Sequence, residues 1–492
     1  ESSPDGGIWV AEAGASSAPI TFLDCTFREN HASKCGGAMA FGQSNTLKQI
    51  ELTYQGCTFA NNLADINGGA LWINTENLFV IEDCDFISNN VNKADGSGNA
   101  IILKERTKAI ITGTTLINNG VKGSSIVFEG KSFNAIDSEI EFDSVEESSR
   151  GIEFKNKATI ELEGVTFLRC NARAAERGEG GGILYHEVIP NNDELVFTLD
   201  TCVFNGSALV LNISSVPDIY GCTFKNHQSG SFIFTIVFSL FQMVFEFSDC
   251  TFENNFHTTA ANSEDGGGSG IWIANNKQIA AGRLMQIYFT SVKFINNRSP
   301  TVGGAFAYGR SPTVYPSELY FDGCEFNGNT AETDGGALWI ITKSPYEIQY
   351  CDFKNNVANR RGGSIMVDTK APIATIQRSS FEIDTAGTDG NSIYVTDNTP
   401  RFILSGNNFI DCGMTNNVIT IDTTIVGLDG NTIQFTNQDE TCRALNIKSA
   451  GTFDISDNRF YLCSAQRGGA VMFSDTNNKG GNETLIFNGN TF

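Results

Sequence analysis

A segment that begins Cys324-Glu325-Phe326-Asn327-Gly328-Asn329 and continues to Gly335-Gly336-Ala337-Leu338-Trp339-Ile340 recurs along the chain. Close copies stand at Cys25-Thr26-Phe27 with Gly36-Gly37-Ala38-Met39, at Cys57-Thr58-Phe59 with Gly68-Gly69-Ala70-Leu71, and at Cys351-Asp352-Phe353 with Gly362-Gly363-Ser364-Ile365. Self-similarity at a period of about thirty residues marks an array of supersecondary units that bury their apolar faces only against one another. Phenylalanine anchors fall at positions 27, 59, 86, 142, 167, 204, 224, 252, 294, 326, 353, 381, 409, 435, 460 and 492, with Leu116 in one slot, which makes 17 units in 492 residues. An internal repeat of this kind overrides the length prior for several globular domains, so residues 1–492 are expected to form one domain.

Each unit contains two strand signals and a corner. The Gly-Gly-Ala slot, filled elsewhere by Gly98-Asn99-Ala100, Gly303-Gly304-Ala305 and Gly468-Gly469-Ala470, suits a corner that needs positive φ or close backbone approach. Alternating apolar residues follow it, as at Leu71 and Ile73 or Leu338 and Ile340, and a second alternating run leads into the Cys-x-Phe anchor. Period two indicates strand, and no helical period appears. Short strands, glycine corners and rungs of roughly 25 to 32 residues predict an all-β chain folded as a single-stranded parallel β-helix of about 17 rungs, stacked about 4.8 Å apart.

Composition narrows the partners. A net charge of −23 excludes nucleic acid and anionic membrane surfaces, both of which need a basic face. The one long apolar run, Phe232 to Phe247, is interrupted by Thr235, Ser239, Gln242 and Glu246, too soon for a bilayer span. Paired strands are expected there, with no membrane insertion. The chain opens and closes in mid-repeat, so it is expected to be a fragment of a longer protein whose signal peptide and anchor lie outside it.

The alternation of Gly-Gly-Ala-(Ile/Leu/Val) with Phe-x-x-Asn, the latter met at Asn30, Asn62, Asn89, Asn255, Asn297, Asn329 and Asn356 and matched by Asn119 after Leu116, resembles the repeat of the chlamydial polymorphic membrane proteins, found also in other surface proteins. It covers nearly the whole chain. The resemblance implies a right-handed β-helix at a cell surface, extracellular and often adhesive.

Parallel β-helices also carry polysaccharide lyases and hydrolases, which need clustered carboxylates, or a carboxylate and calcium site beside a basic residue. His31, His186, His227 and His257 fall at unrelated slots, and the acidic run Glu139, Glu141, Asp143, Glu146 and Glu147 reads as a solvated face. A non-enzymatic surface or fibre protein is therefore the leading expectation, with a carbohydrate-active enzyme as its alternative. No cofactor is expected. Asp334 and Asp389 beside corner glycines are turn caps or weak calcium ligands. The asparagines of Phe-x-x-Asn read as a stacked structural ladder.

Eight of the thirteen cysteines, Cys25, Cys57, Cys84, Cys202, Cys222, Cys250, Cys324 and Cys351, precede an anchor phenylalanine by two residues, which puts them on the inward face as stacked thiols. Rung spacing exceeds the usual Cβ separation in a disulfide. Cys412 and Cys442, near turns, form the one candidate bridge. Of four glycosylation sequons, Asn297 lies in the ladder and Asn205 in the tightest corner, whereas Asn212 points outward and Asn482 lies in a polar loop, so the last two are the usable sites.

In the frame Ala337-Leu338-Trp339-Ile340 the Leu and Ile slots are apolar in every unit, which turns Trp339 outward. All four tryptophans, Trp9, Trp72, Trp272 and Trp339, share that slot, with Ile102, Ile233, Met366, Tyr394 and Met472 among its other occupants. A stripe apolar in 14 of 17 rungs is too continuous for a free surface. Either the chain's own loops or flanks cover it, or it contacts another copy, a cell-surface protein or a glycan.

Overall fold

The computed structural model describes residues 7–10, 18–42, 50–93, 98–120, 122–143, 148–170, 181–186, 196–207, 209–212, 217–227, 232–234, 243–256, 269–273, 285–308, 317–368, 371–413, 416–436, 442–463, 465, 469–473 and 484–492. The chain divides into two compact units, Glu1–Asn226 with Ile233–Phe238 and His227–Phe232 with Ser239–Phe492. Each is an all-β parallel solenoid, and no helix occurs among the described residues.

One turn of the second unit shows the plan. Leu338–Ile340 forms the first wall after the glycine corner, Tyr346–Gln349 the second, and Asp352–Lys354, carrying the anchor, the third. Each pairs in parallel with its counterpart one repeat away, Leu338 with Ile365, Tyr346 with Ala374, and Phe353 with both Phe326 and Phe381. The first unit repeats the plan at Leu71–Ile73, Leu78–Glu82 and Asp85–Ile87. Burial alternates along Ser317–Asp322 and Tyr346–Gln349, as expected where period two sends every second side chain to one interior.

The anchors stack as flat rings. Centroids lie 4.8 and 4.5 Å apart along Phe27, Phe59 and Phe86, and 5.0, 4.6, 4.7 and 4.6 Å apart along Phe294, Phe326, Phe353, Phe381 and Phe409. Strand spacing dictates that repeat. Two anchors are displaced from the sequence expectation: Ile140 and Ile433, not Phe142 and Phe435, hold the register positions beside Leu116 and Phe409. All four side chains are buried; the period-two pattern offers two inward residues, and the larger one stands two residues past the true slot.

At the corner, the two glycines answer different constraints. Gly335 has φ 66°, and a Cβ there would lie 2.2 Å from the Leu338 carbonyl oxygen; at Gly336 it would lie 2.0 Å from the Gly363 carbonyl oxygen of the next turn. The first glycine supplies the turn and the second lets the next coil pass.

Phe326→Ala removes a fully buried ring from the middle of the stack, and chemical denaturation is expected to show a loss of about 3–5 kcal/mol. A loss below about 1 kcal/mol would place the ring outside the core.

Candidate functional site

Two polar ladders run inside the turns. In Phe-x-x-Asn, the Asn356 side-chain oxygen accepts from the backbone N–H and the side-chain amide of Asn329, both at 3.1 Å, while the Asn329 amide also donates 2.9 Å back to the Phe294 carbonyl. Asn255 and Asn297 repeat the arrangement in the second unit, and Asn30, Asn62, Asn89 and Asn119 in the first. Asparagine fits because its side chain offers an acceptor and two donors at one end. Ser207 and Cys170 fill the same slot in the first unit, and Asp384 and Cys412 in the second; Cys170, Ser207 and Cys412 donate to an anchor carbonyl of the neighbouring turn or its equivalent.

The second ladder explains the cysteines. The Cys25 N–H donates to Cys57 Sγ at 3.4 Å and the Cys57 N–H to Cys84 Sγ at 3.3 Å. Ser379, Asn407, Asn431 and Asn458 take over the same slot in the second unit. Burial raises the Cys57 thiol and pushes that of Cys84 up to about 12, which keeps both protonated and poor nucleophiles. All thirteen cysteines are free, Cys412 and Cys442 included; both are buried, and the Cys442 thiol donates to the Cys412 carbonyl at 3.6 Å instead of meeting its sulfur in a bridge.

Asp384 departs from the pattern in charge. Its Oδ1 accepts from the Asn356 N–H at 2.9 Å and side-chain amide at 3.1 Å, whereas its Oδ2 is buried without a partner. In the asparagine turns that position is an amide donor aimed at the preceding anchor carbonyl. A second oxygen there needs a proton. Burial accordingly raises the carboxyl to about 7 against the lowering effect of Asn356 and Ser364.

Part of the apolar stripe is covered by the chain itself. Trp72 is 9% exposed, Ile102 1%, Met366 2% and Tyr394 6%. Trp72 and Ile102 pack with Ala40 and Val127 beside Cys35. The corner backbone crosses the stripe so closely that a Cβ on Gly68 would lie 3.0 Å from Ile102, and one on Gly335 3.3 Å from Met366. These four side chains therefore offer no free contact surface, because the glycine corners beside them lie against the wall. Trp339 and Met472 are half-buried and Trp9 is 40% exposed; the side chains of Ile233 and Trp272 lie outside the described residues.

In the second unit charged residues complete the cover. The Arg361 guanidinium stands 4.8 Å and Lys448 Nζ 5.3 Å from the Tyr394 ring centre. Asp334 is bound by Arg360 and Arg361. Asp389 accepts from the Gly390 N–H at 3.0 Å, Asn417 Nδ2 at 2.5 Å, Thr420 Oγ1 at 2.5 Å and Lys448 Nζ. Cations and amides thus occupy both aspartates proposed as caps or calcium ligands, and the described residues contain no group of three metal-binding side chains. Sequence reasoning missed this network because its members sit on different turns.

The other candidates are dispersed. Glu141 pairs with Arg169, and Asp143 accepts 2.6 Å from the Asn118 side chain; Glu139 is half-buried on the same strand, and Glu146 and Glu147 lie outside the described residues. His31 bonds Asp65 at 2.9 Å and His227 is buried in the ladder slot; the His186 side chain and His257 are not among the described residues. Asn297 is fully buried, and Asn205 is half-buried and accepts 2.9 Å from Asn226. The Asn212 side chain and Asn482 fall outside the described residues.

Fold and interior together define a repeat protein of the parallel β-solenoid class. Residues 323–340, which span one anchor, one ladder asparagine and one glycine corner, match the Chlamydia polymorphic membrane protein (Chlamydia_PMP) repeat. No curated protein and no solved structure matches the chain. A repeat of this family on a β-solenoid fits a surface protein.

Because the folded state holds the Asp384 proton more tightly than the unfolded chain does, its stability is highest below the ordinary carboxyl range and falls as pH rises to about 7. Asp384→Asn restores the donor. Thermal melts across pH are expected to show a variant more stable than the parent by on the order of a few kcal/mol above neutrality, with the difference vanishing toward pH about 4. Parallel pH profiles for the two proteins would contradict the assignment.

Proposed function

We propose that the chain is a non-enzymatic extracellular surface or fibre protein whose solenoid is a rigid scaffold for adhesion or self-assembly. The observation that carries this reading is the use of the recurring polar slots: asparagine, cysteine, serine and Asp384 inside the turns serve the backbone of neighbouring turns. The side chains left for recognition are those on the outer walls. With much of the first wall covered by its own corners, contact falls to the second and third walls.

In the second unit, Tyr288 and Tyr320 stack 4.7 Å apart on the outer face of the second wall, bracketed in register by Glu246 and Glu347. The Tyr320 hydroxyl donates 2.9 Å to Glu318. Aromatic surface with fixed polar groups is the chemistry of interface hot spots and of sugar stacking. Another copy, a cell-surface protein or a glycan is the partner class.

Binding of the purified chain to cell surfaces and glycans, with self-association measured by sedimentation, tests the reading. Tyr288→Ala with Tyr320→Ala should weaken the strongest of these interactions by about tenfold or more while leaving the melting transition nearly in place. Turnover of an acidic polysaccharide, abolished by Glu139→Gln or Glu141→Gln, would overturn it in favour of a carbohydrate-active enzyme.

A further inference from the structure

We propose that Lys448 and Asn417 form an intramolecular isopeptide bond, with Asp389 as the proton carrier. Asp389 joins the two reacting groups: its Oδ2 accepts from Lys448 Nζ, and its Oδ1 accepts 2.5 Å from Asn417 Nδ2. Arg443, the cross-strand partner of Asn417, donates from Nη1 to Asn417 Oδ1 at 2.7 Å. These contacts fix the side-chain amide from both ends, since a carboxylate takes only the NH2 end and a guanidinium only the oxygen. Asp389 and Asn417 are buried, and the Lys448 side chain is 24% exposed.

The arrangement contains each part that amide exchange requires. The Asp389 carboxylate removes a proton from the Lys448 ammonium, and the freed nitrogen lone pair attacks Asn417 Cγ. Arg443 faces the oxygen on which negative charge develops. As the Cγ–Nδ2 bond breaks, Asp389 returns its proton to the departing nitrogen, which leaves as ammonia and takes up the second proton released by the lysine. A side-chain carboxamide and an ammonium become a secondary amide and an ammonium ion, with no oxidant, reductant or cofactor. Holding the reactants on one carboxylate replaces the bimolecular encounter that makes aminolysis of an amide slow in water.

The product would staple the solenoid where the cover of the first wall is polar. Asn417 opens the strand Asn417–Ile421, and Lys448 directly follows Arg443–Ile447, its neighbour in the sheet. Asp389 reaches both from the corner before Ile393–Val395, the strand on the other side of Asn417–Ile421. Thr420 and the Gly390 N–H hold that carboxylate by its Oδ1.

Intact-mass and tryptic-peptide mass spectrometry of the purified full chain decide the question. The expected result is a chain lighter by one ammonia, no tryptic cleavage after Lys448, and a branched peptide joining Asn417 to Lys448. Lys448→Arg and Asp389→Asn should abolish the branch, whereas Lys354→Arg, at an exposed lysine paired with Glu382, should retain it. A chain of unaltered mass cleaved normally after Lys448 would overturn the proposal, and loss of water with a branch on Asp389 would overturn the roles of Asn417 and Asp389. The mass and digest of the parent chain suffice to decide between these outcomes, even where a variant does not fold.

Discussion

The side-chain hydrogen bond from one turn to the next, in the slot three residues after the anchor, is the interaction on which the rest of the fold depends. A solenoid turn bends its backbone at each corner, and N–H groups at the bend lose the regular ladder of the walls. Left unpaired in a buried corner, each would cost about 1–3 kcal/mol. Asparagine at positions such as 62, 89, 329 and 356 meets the demand by accepting two bonds from one neighbouring turn and donating to both neighbours. The side-chain amide acts as an additional peptide group that runs along the stack.

Other regularities follow from keeping the turns in register for that exchange. Anchor rings repeat at the strand spacing and stack nearly parallel. The second corner glycine is fixed by the carbonyl passing over it. Cysteine is tolerated two residues before the anchor because its sulfur accepts a backbone N–H while its thiol donates to a carbonyl, as Cys57 does with the Cys25 N–H and the Gln55 oxygen. Where the chain needs a harder acceptor, serine or asparagine appears in the same place.

The fold class was legible in the sequence because the repeat writes the same physics many times over. Single departures were not. Phe142 and Phe435 drew the anchor reading away from Ile140 and Ile433 because two inward residues lie within one period and size favours the wrong one. The apolar slot at Trp72, Ile102, Met366 and Tyr394 was visible as a stripe, but strand alternation carries no information about a corner that lies against the wall. The cluster at Asp389 was half visible, since the aspartate stood out beside its glycine, while Asn417, Arg443 and Lys448 come together only through the register of separate turns. Asp384 differs from the ladder asparagines by one group, and its oxygen without a donor shows only against the neighbouring turns.

The most direct test of the ladder is amide hydrogen exchange on Asn329→Ala. The substitution deprives the Asn297 N–H and side chain of their acceptor and the Phe294 carbonyl of a donor, while the stacked rings stay in place. Loss of protection centred on residues 294–299 and 326–331, with a global destabilisation of about 2–4 kcal/mol, is the expected result. Unchanged protection at the Asn297 amide together with unchanged stability would show that the turns hold their register without the side-chain ladder.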